Sequence, residues 1–282
     1  MVALLPSDTR TPQAGYAQLT VETVAGQSTV TSARSVSPMK LLVPRPRGVS
    51  AWAFTSSFGG GLVAGDRTEL HLELGASARA FIGTQASTKI YRNPAQRPCS
   101  HRTEVSLGAG AVLVLAPDPV QAFAESMYVQ RQVFRLAADA GLVLVDWFGA
   151  GRVARGERWG FTRLENRNEV FLGGQRVFLD SLLLDSGAGF AVSAHQVGRF
   201  NCFATCLLVG QPVASVAAAI LAAVGGRPVE RGASLITSAS PVAGGVVVRI
   251  AGEGTEPVGR ELGRHLQGVV PLLGDDPWAR KW

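Results

Sequence analysis

Lysine is almost missing from this chain of 282 residues. It occurs at Lys40, Lys89 and Lys281, so nearly all of the 27 basic residues are arginine. Arginine favours planar, bidentate contacts with carboxylates over the mobile point charge of an ammonium group. Against 21 acidic residues the formal charge is +6. The basic residues are nevertheless scattered, and no aromatic-rich basic motif is present to stack bases, so an Arg-rich nucleic-acid binder is the weakest reading of the charge. Cysteine is also scarce: Cys99, Cys202 and Cys206 are too few and odd in number for a disulfide framework, which suits a reducing compartment. The four histidines are dispersed, and the Cys202/Cys206 pair, if on a strand, stands about 13 Å apart by strand rise. A closed zinc site is therefore unsupported. No Gly-x-Ser-x-Gly nucleophile elbow occurs. The longest apolar stretch, 213–224, is too short to span a bilayer. The first ten residues lack the charged and apolar regions of a secretory signal, so a cytoplasmic location is expected.

What the chain does have is glycine, most densely in Ser56-Ser-Phe-Gly-Gly-Gly-Leu-Val-Ala-Gly-Asp-Arg67. Gly60 to Gly65 has the spacing of a phosphate-binding loop, but Asp66 stands where that loop needs lysine, and a carboxylate there repels phosphate. The glycines mark a sharp turn or a close backbone approach instead.

Elsewhere the pattern has period two. In Thr68–Leu74, Leu70, Leu72 and Leu74 face one way and Glu69, His71 and Glu73 the other, which reads as a half-buried antiparallel strand. Further strands are predicted at 17–24, 29–36, 79–85, 103–107, 111–115, 130–136 and 141–148, with a hairpin over 169–184 turning at Gly173-Gly174. Short strands at this spacing predict a mainly β architecture, with a stacked or solenoidal arrangement possible. Helical patterns appear only late, at 213–224 and 256–273, the second with Pro257 near its start. No domain break is evident, so residues 1–282 are expected to form a single domain.

The candidate chemistry is sparse. Asp66, Asp146, Glu157 and Asp180 each adjoin a turn or strand end. Asp66 is placed to cap the glycine turn, Glu157 to pair with Arg152 or Lys89, and Asp146, inside the apolar run 142–148, needs a partner if buried, for which Arg152 is available. Ser87-Thr88-Lys89-Ile-Tyr91-Arg92 offers hydroxyls beside a lone lysine. This admits an alternative reading: a cofactor-independent enzyme on a β-scaffold using Lys89, Tyr91 and clustered carboxylates.

Several segments taken in order resemble the urease accessory protein family UreD, also called UreH. They are Ser37-Pro-Met-Lys-Leu-Leu42; Gly60-Gly61-Leu-Val-Ala-Gly65-Asp66; Thr84-Gln-Ala-Ser-Thr88-Lys89-Ile-Tyr91-Arg92; Leu115-Ala-Pro-Asp-Pro119; and Asp146 onward through Gly151-Arg152-Val-Ala-Arg-Gly-Glu157. One departure is Phe54-Thr-Ser-Ser-Phe58, where many members carry a His-Pro-Pro-type run. The resemblance implies stacked β-sheets of β-helix-like character, with a few α-helices in the C-terminal third. It implies a scaffold and not an enzyme: a urease-maturation protein that binds apo-urease and a UreF-type accessory protein, which recruits a UreG-type GTPase. No cofactor is held tightly. Nickel passes transiently, with Asp66, Asp146, Glu157 and Asp180 as candidate weak stations. A chain poor in histidine and chelating cysteine suits passage of Ni²⁺ better than storage. The C-terminal helix and its Trp-bearing tail are the first guess for the partner-binding surface.

Overall fold

A computed structural model describes residues 14–45, 48–186 and 197–279; the N-terminal stretch and Lys281 fall outside them. β1 (Tyr16–Val24) and β2 (Gln27–Ser35) form a hairpin whose turn places Ala25 and Gly26 at positive φ. β3 (Met39–Leu42) pairs antiparallel with β4 (Ala51–Ser57). The chain then coils. β4 leads through the two-residue β5 (Gly61–Leu62) to β6 (Arg67–Leu74). β7 (Arg79–Thr84) leads through β8 (Thr88–Ile90) to β9 (Cys99–Leu107). β10 (Val112–Leu115) leads through β11 (Val120–Ala122) to β12 (Met127–Leu136). β13 (Gly141–Gly149) and β14 (Arg163–Leu172) make the last coil.

Corresponding strands of successive coils stack in parallel. One sheet runs β15-β14-β12-β9-β6-β1-β2 and the other β17-β18-β16-β13-β10-β7-β4-β3, while β5, β8 and β11 form a narrow strip along one side. The remaining strands, β15 (Gln175–Asp185), β16 (Cys202–Val209), β17 (Leu235–Val242) and β18 (Gly245–Gly252), add on antiparallel. The expected stacked, β-helix-like fold is therefore present. The antiparallel assignment of the 68–74 strand is overturned: β6 lies parallel to both β1 and β9, in the middle of its sheet. Its polar face is exposed because, among the described residues, no helix packs on the outer side of this sheet, the usual cover of a parallel sheet.

The coils are closed by one recurring turn. Leu74-Gly-Ala-Ser-Ala78, Leu107-Gly-Ala-Gly-Ala111 and Leu136-Ala-Ala-Asp-Ala140 each bring the chain from the first sheet to the second. The three leucines stand in register and the three last alanines are fully buried. In each turn the N–H of that alanine donates to the carbonyl three residues back. Stacked leucine and alanine ladders thus define one end of the core, continued inward by Leu72, Val105, Phe134 and Val170 against Leu113, Leu142 and Leu144.

A second core lies outside the second sheet. Val143, Val145, Cys202, Cys206, Val246 and Val248 point to that side. There they meet α1 (Ala214–Val224) and α2 (Thr255–Leu266), followed by a 3₁₀ turn and the short α3 (Val270–Leu273). The pattern read as one helix over 256–273 is thus broken after Leu266, five residues before Pro271, whose ring cannot sit within an uninterrupted helix. Cys202 and Cys206 do share one strand face, as buried apolar side chains. The C-terminal helices bury Val258, Leu262, Leu266, Val269 and Leu273, and Trp278 packs edge-on against Phe81. The inner face of this helical segment packs on the protein's own sheet, and Glu256, Arg260 and Arg264 remain exposed on the outer one.

Candidate functional site

Period-two strands aligned in parallel place like positions in a row. Two adjacent inward-facing rows of the first sheet break its apolar pattern. In the first, Thr68, His101, Gln130 and Asn166 stand side by side on β6, β9, β12 and β14. In the second, Thr103, Gln132, Asn168 and Asp180 do so on β9, β12, β14 and β15. The rows beyond are apolar on both sides: Leu72, Val105, Phe134 and Val170 toward the leucine turns, and Cys99, Tyr128, Leu164 and Leu184 the other way. A polar band therefore crosses the interior.

Such a band is tolerated only if its members satisfy one another. Gln132 Nε2 donates to Asn168 Oδ1 at 2.9 Å, and Gln130 Nε2 to Asn166 Oδ1 at 3.1 Å. His101 has a threonine hydroxyl at each ring nitrogen, Thr68 at 2.8 Å from Nδ1 and Thr103 at 3.1 Å from Nε2. Thr68 also donates to the Ser100 carbonyl, which leaves its oxygen to accept from Nδ1–H and Nε2 to accept from Thr103. Desolvation lowers His101 to about 4 from the ordinary 6.5, so the ring is neutral.

Facing this band from the second sheet is Asp146, on β13 in the row that begins Leu142, Leu144. It is buried. Its carboxylate accepts from Gln130 Nε2 at 2.9 Å, Asn166 Nδ2 at 2.5 Å and Asn168 Nδ2 at 2.6 Å. Burial raises its pKa, the three amides oppose that rise, and the Asp180 charge adds to it. Arg152, the partner suggested by sequence, is elsewhere. It pairs with Glu157, its Nε donating to Oε2 at 2.9 Å, and lies over the Phe123 ring. Among the described residues, no cationic side chain touches Asp146.

Asp146 also lines two cavities. One, of about 110 Å³, is lined by Thr84, Thr88, Asp118, His101, Tyr128 and Gln130, with Ser57, Ala86 and the exposed Gly60 also in its wall. The other, of about 400 Å³, is lined by Asn166, Asp180, Leu182, Phe203, Ser238 and Arg249. Both include Asp146. At the outer end of the second, Arg249 Nη2 donates to Asp180 Oδ1 at 3.1 Å.

Of the other sequence candidates, Gly60 and Thr88 line the first cavity, and the rest lie outside both. Asp66 closes the glycine turn, Oδ2 accepting from the Val63 N–H at 2.9 Å. Glu157 is lowered by Arg152 and also accepts from the Ala124 N–H. Gly65 is at positive φ and Gly151 at φ +97°, where a Cβ would lie 2.7 Å from the Ala122 carbonyl oxygen. Arg92 forms a bidentate pair with Glu125. Lys89 and Tyr91 do not line the cavity holding Asp146. The alternative enzyme reading thus loses the convergence it needs. Ser87 and Thr88 of that motif reach the cavity. Among the described residues no three His, Cys, Asp or Glu side chains gather as a metal-binding group, and no helix is long and apolar enough to cross a membrane. The amides Gln130, Gln132, Asn166 and Asn168 and the ring of His101 were not singled out from sequence. The signal was present in Gln-Arg-Gln and Asn-Arg-Asn, polar residues on the alternation that should face the core.

A profile of the UreD urease accessory protein family matches residues 13–282. A protein of Sorangium cellulosum named urease accessory protein UreD is 46% identical over 97% of this chain and 86% of its own length. One of the same name from Anaeromyxobacter is 39% identical, covering 95% of this chain and 90% of that protein. The urease accessory protein D of Arabidopsis thaliana is 33% identical, over 93% of this chain and 99% of its own.

Proposed function

The chain belongs to the UreD urease accessory protein family, and on that premise we propose that it is a cytoplasmic, non-catalytic scaffold of urease maturation through which nickel passes as cargo. It binds apo-urease and a UreF-type accessory protein, which brings the UreG-type GTPase. Ni²⁺ moves along the polar band by way of Asp146.

The observation that carries this reading is the buried Asp146 carboxylate, held by neutral amides alone and lining two cavities. A lone buried carboxylate is costly without a counter-charge, and a passing cation supplies one. Amide, hydroxyl and carboxylate oxygens are weak ligands for Ni²⁺ beside thiolate or free imidazole, and the His101 nitrogens are already engaged by hydroxyls, so the cargo is not trapped. Asp180 is the second station, at the far end, and must first part from Arg249. Asp66 and Glu157 serve the turn and the Arg152 pair.

The test is Asp146→Asn co-expressed with the accessory proteins and urease. The nickel content of purified urease is expected to fall several-fold while co-purification of the partners is unchanged. Equal loss of assembly and nickel would make Asp146 a structural residue only.

A further inference from the structure

The glycine-rich turn, which the passage itself leaves unexplained, holds an aromatic ring out in solvent. Phe58 is 55% exposed and Val63, at the other end of the turn, 52%. The turn between them is tightly built. The Phe58 N–H donates to the Pro38 carbonyl, Tyr91 Oη to the Gly59 carbonyl at 2.8 Å, and the Tyr91 N–H to the Leu62 carbonyl. Gly59 and Gly60 are both left-handed, at φ +75° and +67°. Lys40 Nζ lies 3.9 Å from the centre of the Phe58 ring, which limits the ring's freedom. An exposed apolar side chain on a pre-organised turn has already lost the entropy that docking would remove, and that is the property of an interface anchor.

The charge nearest the ring is positive, while Asp66 at the Val63 end is engaged by the Val63 N–H. Lys40 and Lys89 are two of the three lysines in the chain, and neither forms an ion pair with a described carboxylate. A Cβ on Gly60 would lie 3.8 Å from Lys89 Nζ, so both lysines border the turn. The same turn, through Ser57 and Gly60, forms the rim of the cavity that leads to Asp146.

We infer that the Phe58–Val63 turn, flanked by Lys40 and Lys89, is a docking surface for a maturation protein that presents an apolar recess edged with carboxylates. This rests on the maturation reading and deepens it, because it identifies the Ser57–Gly60 end of the passage as the one a partner covers. A cation leaving or reaching this mouth is then handed over inside an interface and not through water. One phenylalanine and two lysines are too little apolar area and charge to hold a membrane surface, so a protein is the occupant.

The test uses the full chain, with apo-urease and the UreF-type protein as separate probes in titration calorimetry. Phe58→Ser is expected to weaken binding of one of them by about tenfold or more. Lys40→Glu with Lys89→Glu should weaken the same protein and flatten the fall of its affinity with salt. Unchanged melting confirms that these exposed substitutions leave the fold intact. Binding of both probes at full strength by all the variants overturns the inference but not the maturation reading. Vesicles of phosphatidylcholine and phosphatidylserine captured by the unaltered chain and not by Phe58→Ser, with protein binding intact, overturn it in favour of a membrane. Failure of the unaltered chain to bind either protein overturns the maturation reading and this inference together.

Discussion

Buried Asp146 and part-buried His101 line the same cavity and respond to pH in opposite senses. Asp146 holds its proton more firmly in the folded chain than its ordinary 3.8. Its contribution to stability is therefore fully present below that value and is lost as pH rises through the raised folded one. His101 is the reverse, lowered to about 4 from 6.5. Its contribution is complete above 6.5 and disappears as pH falls from there toward 4, on the order of 3 kcal/mol in all. Glu157, Glu165 and Glu169, all lowered by arginine partners, add losses only below the ordinary carboxylate value of 4.5. Between 6.5 and 4.5 the loss on acidification comes from His101, and the raised Asp146 acts in the opposite sense. His101→Gln, which can still meet Thr68 and Thr103, is expected to flatten the pH dependence of urea unfolding in that window. A slope equal to that of the unaltered chain would mean that the ring is already charged. Neither environment was legible locally. The sequence 142–148 shows that Asp146 is flanked by apolar residues, but its three amide partners come from strands brought together only by parallel stacking.

At the scale of the element, the glycine turn separates two kinds of glycine requirement. Gly61 is extended, so its constraint is space: an added Cβ would lie 2.3 Å from the Lys89 carbonyl oxygen and 2.8 Å from Tyr91 Cε2. Gly59 has open space but a left-handed backbone. Gly61→Ala should cost about 1–3 kcal/mol by forcing β5 from β8, and Gly59→Ala about 1–2 kcal/mol by conformation alone. Thermal melts rank the two, and only Gly61→Ala should also disturb the Tyr91 hydrogen bond to Gly59. Equal effects, with that bond intact in both, would remove the packing argument. Strand positions were readable because alternation survives any pairing partner, whereas the direction of pairing was not, since Thr68–Leu74 alternates equally well in either. The repeat that decides it is Leu-(Gly/Ala)-Ala-x-Ala, at 74–78, 107–111 and 136–140. It is short, rich in the commonest small residues, and is distinguished from chance only by the in-register stacking of its leucines.

For the molecule as a whole, the decisive property is whether the polar band has two working ends. The two cavities share Asp146 but differ at their mouths: hydroxyls and Asp118 beside the Phe58 turn, the Asp180–Arg249 pair at the opposite edge. A pocket with one mouth holds an ion and returns it where it entered. A passage must be open at both ends, although not at once, and an arginine at one of them repels the cargo until Arg249 is drawn aside. Obstruction distinguishes these cases without touching Asp146. Ser87→Trp narrows the first mouth and Ser238→Trp the second, both at positions that are not buried, so the fold should tolerate either ring. If nickel crosses, each substitution alone should lower the nickel content of co-expressed urease severely, and the two together should be no worse than either, because a blocked path cannot be blocked twice. Partner binding measured on the same preparations should hold for Ser238→Trp if the Phe58 turn is the docking end. Loss of nickel with one substitution and full loading with the other would identify a one-ended pocket and end the case for passage through the protein.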